Sequence, residues 1–298
     1  EKGMFINGKS FRMNGVCMHH DLGPLGAAFN RCAAERQLRI LQGIGVNALR
    51  CTHNPPAPEV LDLCDELGIV AIDEAFDCWQ MGKVENDYHL DFDEWHERDL
   101  TGMIFRDRNH PCVILWSIGN EILEQQDPNG WKLAEHLQDI VHRTDPDRKV
   151  TAALSFEKEA IDNGMAAVMD VPGFNYKPHR YQDYHDRLPG KPIFGSETAS
   201  TISSRGVYTF PIREGWTQSH PSIQCSSYDV EYPAWASTPD KEFYFQDRCP
   251  WVMGEFVWTG FDYLGEPCPY GHQWPAHSSY FCIFDLVGLP KDRAYLYK

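Results

Sequence analysis

Two glutamates stand where acid–base chemistry on a bound ligand would need them. Val113-Ile114-Leu115-Trp116-Ser117-Ile118-Gly119-Asn120-Glu121 follows His110-Pro111, runs through β-branched and apolar residues, and ends in a carboxylate. A short apolar run bounded by a turn signal predicts a strand buried on both faces. Lys191-Pro192-Ile193-Phe194-Gly195-Ser196-Glu197 repeats the arrangement. In parallel α/β folds ligands bind at the edge where the strands end. Two carboxylates on one such rim are the minimum equipment for cleaving a glycosidic bond. Taken singly, either Glu also reads as the cap of a following helix, and the repetition weakens that reading.

Other polar and aromatic residues collect at the predicted strand ends: His19, Asp21, His53, Asn54, Asp73, Glu74, Asn120, Asn175, Tyr176 and Trp258. A lone histidine such as His53 ordinarily reads as a satisfied core group. The set is harder to dismiss, because the predicted strand starts carry mainly Pro, Lys and Gly. An end lined with carboxylates, amides and aromatics suits a sugar, whose hydroxyls need hydrogen bonds and whose C–H faces stack on Trp or Tyr.

The elements that must hold these residues alternate along the chain. Periodicity predicts strands over 11–19, 46–52, 69–72, 113–121, 150–154, 168–174, 192–196 and 251–259. Helices are predicted over 33–44, 58–67, 91–108, 130–142, part of 156–167, 179–188 and 240–248, and Gly68 stops the second. An irregular stretch rich in Ser, Pro and aromatics spans 198–239, and 279–298 has room for one short last element. Eight strand–helix alternations without internal repeats predict an α/β fold, the (β/α)8 TIM barrel, rather than an open sheet. No GxGxxG and no GxxxxGK[ST] occurs, so nucleotide binding has no support. Three other glutamates need placing. Glu255 lies three residues before Trp258 in the last strand, so the two face opposite ways. If Trp258 faces the sugar, Glu255 is expected among the helices beside a basic group. Glu266 lies in a Gly/Pro loop, expected to be too mobile for attack. Glu74 closes the third strand.

Composition narrows the function classes. The 298 residues exceed the usual domain of about 100–200, but α/β barrels run longer as single domains. A 42% hydrophobic content with nine Trp allows a large core. The net charge of −16 and pI near 5.2, with no basic run, argue against nucleic acid and anionic membrane as partners. No apolar segment approaches the roughly 18 residues that span a bilayer. The start, Glu1-Lys2-Gly3-Met4, does not read as a signal peptide. Ten Cys without a CxxC pair suit free buried thiols, with a bridge among Cys225, Cys249 and Cys268 left open. The compartment is left open between periplasmic, secreted and cytoplasmic, and an oligomer is compatible with the sequence.

Four motifs resemble one family. Phe11-Arg12-Met13-Asn14-Gly15-Val16, Asn47-Ala48-Leu49-Arg50-Cys51-Thr52-His53, Leu115-Trp116-Ser117-Ile118-Gly119-Asn120-Glu121 and Gly254-Glu255-Phe256-Val257-Trp258 are similar, in order, to the catalytic barrel of glycoside hydrolase family 2. That family holds β-galactosidases, β-glucuronidases and β-mannosidases. The resemblance implies a barrel over 11–298 and a lead-in from a preceding domain over 1–10, with Phe5-Ile6-Asn7-Gly8-Lys9 inside it. It also implies flanking jelly-roll and immunoglobulin-like domains in a longer chain. It places Glu121 as general acid/base, Glu197 as nucleophile, Asn120 at the sugar 2-hydroxyl and Tyr176 on the nucleophile. His53 and Trp258 line the sugar subsite, and Asp21 follows more loosely as a substrate-contacting acid. Asn175, beside Tyr176, joins the substrate-binding set. No organic cofactor is implied. Metal-dependent β-galactosidases of the family place Glu-x-His after the third strand, where this chain has Cys78-Trp79-Gln80, so no metal is expected. The Asn-x-Lys pair with which β-glucuronidases grip a carboxylate is not found. These features imply a retaining exo-β-glycosidase, foremost a β-galactosidase. The alternatives are a β-glucuronidase, a β-mannosidase or an endo-acting relative, and a carbohydrate-binding barrel without turnover. In the retaining reading Glu121 needs a raised pKa, in an apolar or carboxylate-facing setting next to Trp116 or Trp258.

Overall fold

The computed structural model describes residues 3–215 and 220–298. It opens with a hairpin, β1 (Met4–Ile6) and β2 (Lys9–Phe11), turning on Asn7 and Gly8 at φ 51° and 75°. Asn-Gly at positive φ matches the twist of a tight hairpin. The chain then alternates through β3 (Met13–His19), α1 (Arg31–Gln42), β4 (Ala48–Thr52), α2 (Pro58–Leu67), β5 (Val70–Glu74), α3 (His89–Asp107) and β6 (Val113–Asn120). There follow α4 (Gly130–Thr144), β7 (Lys149–Leu154), α5 (Glu157–Asp162), α6 (Met165–Val168), β8 (Gly173–Asn175), α7 (Tyr181–Arg187), β9 (Ile193–Ala199), α8 (Pro239–Arg248), β10 (Val252–Trp258) and α9 (Ala294–Tyr297). Strands β3 to β10 close into one parallel barrel in chain order, β10 pairing with β3.

Local chemistry explains the elements. Every residue of β4, β9 and β10 is buried, as expected for parallel strands covered on both faces. Asn30 caps α1 by accepting from the Ala33 amide, and Leu38 and Leu41 bury its inner face. Pro58 starts α2, and Gly68, left-handed at φ 71°, ends it. At Gly254, φ 129°, a Cβ would lie 2.1 Å from the Met13 carbonyl oxygen, so only glycine lets β10 close against β3. One apolar cluster fills the space between strands and helices, including Leu41, Ile104, Trp116, Leu137 and Ile140. A second, with Met13, Ala48, Ile72, Leu115, Phe194 and Phe256, joins residues from six barrel strands.

The structure differs from expectation in three places. Arg12 separates β2 from β3, so 11–19 is not one strand. The strand expected over 168–174 is only Gly173–Asn175, and Val168 ends α6. Pro172 cannot donate to a ladder, so pairing begins after it. The expected lead-in is a hairpin reaching Phe11; its first two residues, like 216–219 in the irregular stretch, lie outside the described residues. All ten cysteines are free. Among the described residues no helix is long and apolar enough to cross a membrane.

Candidate active site

The barrel's C-terminal rim is built by residues that leave the strand conformation. Register shifts between Ser117 and Asn120 where β6 meets β7, and Glu121 follows at φ 43°. Its amide donates to the Ala153 carbonyl at 2.8 Å, which turns the side chain off the strand line. Tyr176, at φ 59°, donates its amide to the Glu197 carbonyl at 2.8 Å. Left-handed backbone at bulky residues costs energy and persists where the surroundings over-determine it. Both side chains are thereby fixed on the same rim.

Glu197 sits in a net of donors. Tyr176 donates its hydroxyl to Glu197 Oε2 at 2.6 Å, and Arg50 Nη1 donates to Oε1 at 2.9 Å. His53 Nε2 lies 3.7 Å from the same oxygen. Arg50, from β4, is fully enclosed and also donates to Glu74 Oε2 at 2.8 Å, to Asn120 Oδ1 at 3.0 Å and to the Ser196 carbonyl at 3.0 Å. One guanidinium thus faces two buried carboxylates and orients the Asn120 amide. Burial, the largest single influence, pushes Glu74 up, but Arg50 together with His53 and the Ser117 hydrogen bond outweighs it, leaving a pKa of about 2. A buried guanidinium with its donors saturated this way is rigid and permanently charged.

Glu121 has a different setting. It is half-buried, and among the described residues its carboxyl accepts from Asn175 Nδ2 alone, at 2.7 Å. Asn175 is itself held by Ser196, whose hydroxyl donates to Asn175 Oδ1 at 2.6 Å. Burial, then the charge of Glu197, raise the Glu121 pKa, against smaller lowering by Asn175, Lys83 and His53. Two carboxyls on one rim therefore have unlike environments, one saturated by cation and phenol, the other desolvated and facing a carboxylate. Unlike surroundings of this kind are what separate the proton affinities of two neighbouring carboxyls.

Aromatics wall the rim. Trp258 stacks on His53 with centroids 5.2 Å apart and donates its indole N–H to the Tyr263 hydroxyl at 3.1 Å. His19 meets His53, Trp258 and Tyr263 edge-on or tilted, at 5.4, 5.1 and 4.6 Å. Burial, then His53, lower the His19 pKa to about 4, so the His19 ring is neutral. Tyr263 donates its hydroxyl to Glu266. Asp21 accepts from the Gly23 amide at 2.5 Å and the Leu264 amide at 2.9 Å, tying the first loop to the last.

Residues 1–270 match the family model described as "Glycosyl hydrolases family 2, TIM barrel domain". The chain belongs to glycoside hydrolase family 2. It is 41% identical across its whole length to Beta-galactosidase BoGH2A of Bacteroides ovatus, of which it covers 39%. It is 28% identical, again across its whole length, to a putative beta-glucuronidase of Formosa agariphila, covering 30% of that protein. A solved beta-glycosidase from Bacteroides vulgatus superposes with a TM-score of 0.83 at 32% identity, over 99% of this chain and 40% of that one. The chain thus spans well under half the length of these relatives.

Within this family 2 barrel the residues expected at the site, Asp21, His53, Asn120, Glu121, Asn175, Tyr176, Glu197 and Trp258, share one rim. Three neighbours do not, and Asn54 lines a cavity with Asp21 while, among the described residues, its side chain makes no hydrogen bond to the other site residues. Trp116 is in the outer core and donates to Asp145 at 3.0 Å, so it does not desolvate Glu121. Asn54 is exposed beside Pro55. Asp73 is buried on the helix side against Asp107 and Arg106; burial, then Asp107, raise its pKa. Glu255 points away from the face of β10 that carries Trp258, as alternation predicts, but not to a base. It accepts from the Thr198 hydroxyl near the Glu242 carboxyl of α8, while Arg12 stops at Gln246 Oε1, 2.6 Å away. Glu266 is anchored by Tyr263 rather than loose, and burial, against smaller lowering by that hydrogen bond, raises its pKa. Cys78 is buried, its thiol pushed up to about 12 by burial and Asp87. Trp79 donates to the Ile118 carbonyl at 2.6 Å, and Gln80 bonds Asp93 at 2.7 Å. Three residues at this rim had no assigned role in sequence: Arg50, Asp77 and Lys83. Arg50 lay inside the Arg-Cys-Thr-His motif, and a buried Arg two residues before a rim threonine is its one sequence signal.

Proposed function

We propose that this barrel carries the catalytic centre of a retaining exo-β-glycosidase acting on terminal β-D-galactosides, with Glu197 as nucleophile and Glu121 as acid/base. The unlike surroundings of the two carboxyls carry the reading. Glu197 attacks the anomeric carbon while Glu121 protonates the departing oxygen; a glycosyl-enzyme forms, and Glu121 then takes a proton from water. Arg50 and Tyr176 hold Glu197 aimed through both steps. Asn120, clamped by Arg50, is offered to the sugar 2-hydroxyl, and His53, Trp258, Asn175 and Asp21 complete the subsite. The carboxyl groups are expected about 5–5.5 Å apart.

Galactoside is preferred to glucuronide for two reasons. The B. ovatus relative is named a β-galactosidase. The basic side chains near the rim are also already paired: Arg50 with Glu74 and Glu197, Lys83 with Asp77, and Lys177 with Glu157. A uronate would have to displace one of those carboxylates. Family 2 relatives named as β-glucuronidases keep that alternative alive. Nitrophenyl β-glycosides assayed on this chain and on the longest chain containing it test the proposal, with product stereochemistry read by proton NMR. Galactoside is expected to lead in kcat/KM with retention. A higher value for glucuronide would overturn the sugar, and inversion would overturn the mechanism. Jelly-roll and immunoglobulin-like domains beside this barrel in the longer protein belong to the same proposal.

A further inference from the structure

Lys83 lies outside the residues so far given a role, in the loop between β5 and α3. That loop is fastened to the acid/base segment at several points. Trp79 donates to the Ile118 carbonyl at 2.6 Å, and the Met81 amide donates to Glu124 Oε1 at 2.7 Å. The Lys83 amide donates to Asp87 Oδ2 at 2.7 Å. The Lys83 ammonium then donates to the Asn120 carbonyl at 2.9 Å and to Asp77 Oδ1 at 2.8 Å. Asp77 Oδ1 also accepts from Asn120 Nδ2 at 3.0 Å.

The Asn120 carbonyl belongs to the peptide that leads into Glu121, the residue at φ 43°. So the ammonium grips the chain one bond before a left-handed turn. Asp77 and Arg50 hold the two ends of the Asn120 amide, the group offered to the sugar 2-hydroxyl. Around Glu121 the charged or titratable groups are Glu197 on β9, Tyr176 after β8, His53 after β4 and Lys83, with Asp77 and Glu124 one layer back. Arg50 is committed to Glu74 and Glu197, leaving the Lys83 ammonium as the fixed cation on the Glu121 side among the described residues.

We propose that Lys83 is a positioning residue of the acid/base: its ammonium clamps the Asn120–Glu121 peptide and sets the fixed positive charge against which Glu121 exchanges its proton. The inference rests on the glycosidase reading above. A cation here limits how far burial and Glu197 raise the proton affinity of Glu121, so that the group can both donate and take back a proton near neutral pH. It also orders the loop that carries Asp77.

Three variants separate charge from clamp in the longest chain that contains this barrel. Lys83→Gln keeps a donor for the Asn120 carbonyl without the charge, Lys83→Met removes both, and Lys83→Arg restores both. The alkaline limb of the kcat/KM profile reports the acid in the free enzyme. In Lys83→Gln and Lys83→Met it is expected to move up by about one pH unit. Lys83→Met should also lose more activity on a phenyl glycoside, which needs protonation, than on a dinitrophenyl glycoside, which does not. Lys83→Arg should return both readouts toward the parent. A limb that stays put in both uncharged variants, or an equal loss on both leaving groups, overturns the proposal. If the parent prefers another sugar, the same comparison runs on that glycoside and only the sugar reading fails. If the parent turns over none, carbon-13 NMR titration of the Glu121 carboxyl in parent and Lys83→Gln decides: the same upward shift sustains the proposal, and no shift overturns it.

Discussion

Two pairs of carboxyls stand back to back across the wall made by β9 and β10. Glu197 faces the barrel rim with Glu121; the next residue, Thr198, faces outward and donates to Glu255, near Glu242 of α8. All four residues are glutamates; Glu197, Glu242 and Glu255 are buried and Glu121 is half-buried. The inner pair has Arg50 on Glu197 and Lys83 beside Glu121. Among the described residues the outer pair takes its hydrogen bonds from neutral groups, the Tyr181 hydroxyl at 2.5 Å and the Gln246 amide at 2.8 Å on Glu242 and Thr198 on Glu255, while Arg12 acts on both from a distance and lowers them less than burial raises them. Burial raises both outer carboxyls, and Glu255 raises Glu242 further. Among the described residues one Glu242 oxygen has no partner. Buried carboxyls whose hydrogen bonds come from neutral groups rise in pKa, whereas Glu74, in direct contact with the same Arg50 that holds Glu197, is brought down.

The largest effect expected is at the inner pair. Glu197→Gln removes the proposed nucleophile and should lower turnover by at least about 1000-fold, ~4 kcal/mol in barrier. Glu121→Ala should instead slow glycosides with poor leaving groups by about 100-fold or more and be rescued by azide, giving a β-glycosyl azide. Azide rescue of the Glu197 variant with the same product anomer would reverse the two assignments. Mechanism-based labelling on Glu255 would break the comparison outright.

Next in size, Arg50→Met should leave Glu74 and Glu197 buried without their cation and cost about 3–5 kcal/mol of stability by urea unfolding. The pH dependence carries the sign. Glu74 is held at about 2, below its ordinary value, so its share of stability is present above that ordinary value and lost as pH falls toward 2. The gap between parent and Arg50→Met should therefore narrow in acid, and a gap constant from pH 7 to pH 3 would show that Arg50 acts by packing alone.

The outer pair should behave oppositely. Its folded pKa values are raised, so the parent loses stability as pH climbs above the ordinary carboxyl range. Glu242→Gln keeps an acceptor for Tyr181 and removes that loss. It should match the parent near pH 4 and exceed it by about 1 kcal/mol at pH 8 in thermal melts. Equal melting curves at both pH values would mean the outer pair is ionised after all.

The smallest effect concerns metal. With Cys78 buried and Gln80 turned to Asp93, the loop after β5 offers no hard ligand set at those positions. Dialysis against EDTA should leave activity within about twofold, under ~0.5 kcal/mol. A tenfold loss restored by magnesium would show that a cation other than Lys83 governs the rim.

What local sequence could carry, it carried. Apolar runs closed by Glu121 and Glu197, and helical patterns between them, depend only on side-chain period and on glycine and proline, which act over a few residues. The (β/α)8 order and the eight proposed site residues on one rim follow from that, helped by the family's motifs. Alternation even put Glu255 on the correct side of β10. The partners were another matter. That Arg50 spans Glu74, Asn120 and Glu197, up to 147 positions away in sequence, is set by barrel closure. So is the meeting of Glu255 with Glu242 instead of a base, and of Trp116 with Asp145 instead of the acid. Spacing along one strand says which way a side chain points. Only the packed barrel decides what it meets there, because the neighbouring strand and helix bring residues whose charge no local pattern encodes.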